Sequence, residues 1–92
     1  MAKFQLQTTP SFERDFKRLD PPVRRRILER LDWLADHPDQ VGTPMRYLPA
    51  DLKGLHKFRV GDYRVLFWPD LRAQTIILYG VEHRRSIYGH LH

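Results

Sequence analysis

Gly61 and Asp62 separate two runs of strand-forming residues, 55–60 and 63–68, and a two-residue turn of this kind fixes how the flanking strands pair. Val60 then lies opposite Tyr63, Arg59 opposite Arg64, Phe58 opposite Val65 and Lys57 opposite Leu66. Directly paired residues share a face. Phe58, Val60, Tyr63 and Val65 therefore fall on one side, and Lys57, Arg59 and Arg64 on the other. Any fold for this chain has to bury the first side and leave the second in water.

The rest of the sequence supplies a cover for the apolar side. Ninety-two residues form one domain spanning 1–92, and 41% hydrophobic with 12% aromatic residues is enough for a folded core. Residues 3–8 alternate apolar and polar side chains around Phe4 and Leu6, which predicts a short strand ended by Pro10. From Ser11, Phe12, Phe16 and Leu19 make a helical stripe, with Glu13 and Lys17 paired on its wet side. Asp20-Pro21-Pro22 is a break and a restart, with Asp20 placed to cap the new helix. That second helix runs to about Asp36, with Val23, Ile27, Leu28, Leu31, Leu34 and Ala35 on its apolar face. Arg24, Arg25, Arg26 and Arg30 lie mostly away from that face, and His37-Pro38 stops the helix. So short a link between the helices predicts an antiparallel hairpin. Residues 39–54 read as a loop with a short strand at 46–48, and a further strand is expected at 74–81 after a turn at 69–73. The order is β-α-α-β-β-β. It predicts an α+β fold: a small antiparallel sheet with an N-terminal helical hairpin packed on one face and the other face open to water.

Sixteen Lys and Arg against eleven Asp and Glu give a net charge of +5, which favours nucleic acid, an anionic membrane or an acidic protein as partner. With no cysteine, neither a disulfide framework nor a thiolate site is available, and a cytoplasmic address is the default. Residues 1–10 hold no apolar run of signal-peptide length, and no stretch approaches the ~18 apolar residues of a membrane span. Neither secretion nor membrane association is expected.

Arg59 facing Arg64 has no stability rationale, because like charges opposed in a ladder repel. With Lys57 beside them, the trio implies an anion that comes between. The plainer reading is a solvated strand face neutralised by nearby carboxylates. Segment 82–88, Glu-His-Arg-Arg-Ser-Ile-Tyr, adds more cations, an imidazole and a phenol at the end of the last strand. It reads either as an ordinary polar tail, with Tyr88 as a core plug, or as the rest of a site.

At this point a resemblance becomes specific. Phe12, Phe16, Lys17 and Leu19, then Leu31, Leu34, Pro38 and Leu48, then the run Gly54-Leu55-His56-Lys57-Phe58-Arg59-Val60-Gly61-Asp62-Tyr63-Arg64-Val65, and finally His83-Arg84 with Ile87-Tyr88, resemble the RelE/ParE superfamily of toxins from toxin–antitoxin pairs. The resemblance covers residues 4–88, and the Arg-x-Gly-Asp-Tyr-Arg-Val and His-Arg-x-x-Ile-Tyr motifs are its most specific parts. It implies a compact sheet with two packed helices, held silent by a cognate antitoxin. The RelE-like branch cuts messenger RNA in the ribosomal decoding site without metal or other cofactor. The ParE-like branch poisons DNA gyrase instead. By this resemblance Lys57, Arg59, Arg64 and Arg84 match catalytic or RNA-gripping cations, Tyr88 matches a C-terminal tyrosine, and His83 matches a position that is often His.

Metal-free RNA cleavage needs the 2′-hydroxyl activated, the 5′-oxygen protonated and the extra charge on phosphorus stabilised. Arg64, with Arg59 or Arg84, suits the last task, because a guanidinium fork matches phosphate oxygens. Lys57 and His83 are the candidates for proton transfer, and Tyr88 for orienting the hydroxyl or stacking on a base. Arg24, Arg25, Arg26, Arg30 and Lys53 are the further cations expected to hold RNA. His56 and His83 depart from a site usually rich in lysine and arginine. The five histidines match no metal-ligand spacing. The expected partners are an acidic, partly disordered antitoxin, the ribosome and its messenger, with DNA reached only through the antitoxin. A module that binds an acidic protein such as gyrase, and a degenerate toxin kept only as a partner for its antitoxin, are the readings from other classes.

Overall fold

The structure is a computed structural model and describes residues 3–83. Strand β1 (Gln5–Gln7) leads into helix α1 (Pro10–Lys17) and helix α2 (Pro21–Asp36), followed by strands β2 (His56–Val60), β3 (Tyr63–Asp70) and β4 (Thr75–His83). The β-α-α-β-β-β order and the α+β class are those the sequence predicts. The sheet runs β1-β4-β3-β2 and is mixed. Its three later strands are antiparallel, whereas β1 joins parallel to β4, with Gln5 opposite Thr75 and Gln7 opposite Ile77. Two antiparallel reversals turn β4 back to the direction of β2, and β1 enters beside it in that same sense.

Both helices cover one face. Ile27, Leu31, Leu34 and Ala35 of α2 are fully buried with Phe12 of α1 against Val60, Val65, Phe67, Ile76 and Leu78 of the sheet. Each large apolar side chain so buried contributes ~1.5–3 kcal/mol. Leu28, expected on this stripe, lies at its margin and is 48% exposed. At the N-terminal end, Lys3 donates to Asp32 of α2 at 2.6 Å, and this hydrogen bond raises the lysine's pKa above its ordinary value.

Thr9 is the N-cap of α1, and its hydroxyl accepts from the Phe12 N–H while donating to the carbonyl of Leu78. Asp20 sits at the N-cap of α2, but its side chain makes no capping hydrogen bond. Pro22 at the second helical position removes one of the two N–H groups that such a side chain can bind, leaving only that of Val23. No strand forms at 46–48, because Tyr47 adopts a left-handed φ of 61° that no strand accommodates. The connection instead carries two short 3₁₀ turns, Pro38–Gln40 and Ala50–Leu52.

Strand β1 pairs only with residues 75–77, so the C-terminal half of β4 has no strand on that side. Helix α1 takes its place. The Thr9 hydroxyl donates to Leu78 O at 2.9 Å, and the Asp15 carboxylate accepts from the Val81 N–H at 3.0 Å, so side chains satisfy a strand edge. The fit is close: a Cβ on Gly80 would stand 2.8 Å from the Asp15 Oδ2 atom. Among the described residues, no helix is long and apolar enough to cross a membrane.

Candidate active site on the open face of the sheet

The β2–β3 turn is tight because Gly61 takes φ 60° while Asp62 stays at negative φ, the pattern of a type II′ turn. The register is the one a two-residue turn dictates: Val60 opposite Tyr63, Arg59 opposite Arg64, Phe58 opposite Val65 and Lys57 opposite Leu66. Val60 and Val65 are buried under the helices with Phe58 and Tyr63 packed beside them, so Lys57, Arg59 and Arg64 share the uncovered face. Lys57 and Arg59 are exposed and Arg64 is half-buried.

Strand β4 extends this face. The Asp70↔Thr75 pairing, continued without interruption, would bring Val81 opposite Arg64. An irregularity between Leu66 and Phe67 shifts the register by one residue, so that Val81 pairs with Val65 and Glu82 with Arg64. Arg59, Arg64 and Glu82 thus form one transverse row across three strands. Directly opposed side chains have Cβ atoms ~4.5–5.5 Å apart. Glu82 was no part of the site read from sequence, where it was only the first residue of a polar segment. The readable sign of the shift was Gly80, since a glycine inside a strand pattern marks a bulge or a close backbone approach.

The other expected site residues divide between the two faces. His83 pairs with Tyr63, its ring edge-on at 4.9 Å, and so stands on the helix side of the sheet. His56 is also turned inward: it is buried against Phe67, with Nδ1 2.8 Å from the Gly54 carbonyl oxygen. The α2 arginines belong to the helix side too. Arg30 lies over the rings of Trp33 and Phe58 at 5.0 and 5.4 Å, an arrangement that attracts a guanidinium to the π-faces. Arg26 reaches the Gly61 turn, and Arg25 is exposed. Arg24 is half-buried, with its Nε atom buried and without a hydrogen-bond partner. Lys53, exposed, is tied to the open face through its backbone, whose carbonyl accepts from the Trp68 indole at 3.2 Å. Arg84 and Tyr88 lie outside the described residues.

A family model described as the ParE toxin of type II toxin–antitoxin systems, parDE, matches residues 6–88. The chain belongs to the RelE/ParE toxin family. The RelG toxin of Mycobacterium tuberculosis is 30% identical over 86 residues, covering 92% of this toxin and 95% of RelG. The RelE toxin of the same organism is 29% identical, covering 92% of this toxin and 86% of its own length. Among solved structures, the toxin–antitoxin complex RelBE2 of M. tuberculosis superposes with a TM-score of 0.79 at 29% identity, covering 91% of this toxin and 94% of that chain. The intact E. coli RelBE complex shares the fold, with a TM-score of 0.70 at 17% identity over 89% of this toxin and 96% of that chain. This is a type II toxin with RelE-like relatives.

Proposed function

We propose that the toxin is a metal-independent endoribonuclease that cuts messenger RNA on the ribosome, acts in the cytoplasm and is silenced by an acidic cognate antitoxin. The observation that carries this reading is the opposition of Arg59 and Arg64 on an uncovered face with Lys57 beside them. Such a cluster is unfavourable alone and favourable once a phosphodiester stands over it. RelE-named relatives and neighbours solved as complexes with RelB antitoxins support the same reading.

In this mechanism Arg64, joined by Arg59 and Arg84, donates to the non-bridging oxygens and stabilises the charge that builds on phosphorus. Lys57 and His83 are the candidates for proton transfer by their chemistry, and of the two only Lys57 shares Arg64's face. Tyr88 orients the attacking hydroxyl or stacks on a base. Lys53 extends the cationic footprint on the same side, and Arg24, Arg25, Arg26 and Arg30 extend it around the helix side toward a partner large enough to contact both. DNA is reached only through the antitoxin.

Mapping RNA 5′ ends after brief induction tests the reading. Cuts at fixed positions within codons are expected within minutes, ahead of any effect on replication. The ParE name of the matching family model favours a second reading, inhibition of DNA gyrase. Replication arrest with intact messengers would establish that reading and overturn the nuclease.

A further inference from the structure

Glu82 sits where a binding face has no use for it. The Arg59–Arg64–Glu82 row lies on the uncovered side of the sheet, and a carboxylate there repels the phosphate its neighbours attract. The ordinary explanation for an acid beside two cations is an ion pair. Among the described residues, however, neither Arg64 nor Glu82 closes one. Arg64 and Glu82 are both half-buried, directly opposed cross-strand neighbours on that face. The register shift that brings Glu82 here, in place of the apolar Val81, is built into the β3–β4 ladder and backed by α1, whose Asp15 holds the Val81 N–H.

We propose that Glu82 is the general base of the reaction. The inference rests on the nuclease reading. The Glu82 carboxylate takes the proton of the 2′-hydroxyl as the 2′-oxygen bonds to phosphorus. Arg64 and Arg59 hold the non-bridging oxygens, and the P–O5′ bond breaks. The leaving 5′-oxygen takes its proton from the Lys57 ammonium on the same face. The products are a 2′,3′-cyclic phosphate and a 5′-hydroxyl. Glu82 is left protonated and Lys57 neutral, and proton return through water restores both. His83 is turned to the other face by its pairing with Tyr63, and with the Lys57 ammonium as the acid, Glu82 is the carboxylate in the row with Arg64.

The test is single-turnover cleavage of a short messenger on programmed ribosomes, measured beside ribosome binding and thermal unfolding for the wild type, Glu82→Gln and Glu82→Asp. Loss of a positioned base costs about 100-fold or more. Glu82→Gln is therefore expected to cleave at least about 100-fold more slowly while folding normally and binding as well as or better than the wild type. Glu82→Asp, which keeps the carboxylate, recovers part of the rate. A carboxylate that only tempers Arg64 gives the opposite sign: Glu82→Gln binds more tightly and cleaves as fast or faster, and that result overturns the base assignment while leaving the nuclease intact. A wild-type toxin that cleaves nothing on the ribosome removes both.

Discussion

Arg64 is the residue at which repulsion, attraction and proposed chemistry meet: Arg59 opposes it across one ladder and Glu82 across the other. Replacing it with Ala removes one unfavourable and one favourable neighbour, so stability is expected to change by at most about 1 kcal/mol. Cleavage is expected to fall about a hundredfold or more, the loss typical of removing a donor to a developing oxyanion. Lys restores charge without the two-pronged geometry and should recover only part of the rate. Thermal unfolding and single-turnover cleavage on the same Arg64→Ala preparation check both; a folded variant with full activity would remove Arg64 from the site. The cationic half of the row was legible because a two-residue turn leaves the hairpin only one register. Glu82 was not, because its placement depends on a one-residue irregularity in the middle of a longer ladder, and nothing in a polar-looking Glu-His-Arg-Arg segment states which face each residue takes.

The elements themselves were legible from periodicity, but the role of α1 was not. Thr9 and Asp15 are polar positions outside the apolar stripe, and they bond the edge of β4 that β1 leaves uncovered. Asp15→Ala leaves the partly buried Val81 N–H without its acceptor and is expected to cost ~1–3 kcal/mol, whereas Asp15→Asn keeps an acceptor oxygen and should cost less. Denaturant unfolding gives the difference, and amide hydrogen exchange at Val81 should accelerate in the Ala variant alone. Equal stability and equal exchange in wild type and Asp15→Ala would show that the helix does not secure this edge. The strand expected at 46–48 failed for a reason no pattern displays: Tyr47 is 98% exposed and left-handed, so no neighbouring strand recruits it.

Across the whole molecule, an excess of five positive charges is spread over both sides, with the opposed pair on the open face. Binding to ribosomes is expected to weaken steeply with salt, and Lys57→Ala with Arg59→Ala should lower the slope of log affinity against log salt by about two, roughly one for each phosphate no longer neutralised. An unchanged slope would place the partner elsewhere on the surface. Fold class, the inward face and the division of the cations were readable at this scale because burial obeys periodicity: α2 carries its arginines on the side that the sheet turns away from Lys57, Arg59 and Arg64. The parallel pairing of residues 5–7 with 75–77 also sets an order in time. A nascent chain emerges with β1 waiting for β4, so the sheet closes only once β4 has been made, and a prematurely terminated product that stops before β4 has no Arg59–Arg64–Glu82 row to present. A cell that aborts synthesis of this protein partway is left with fragments that lack the complete row.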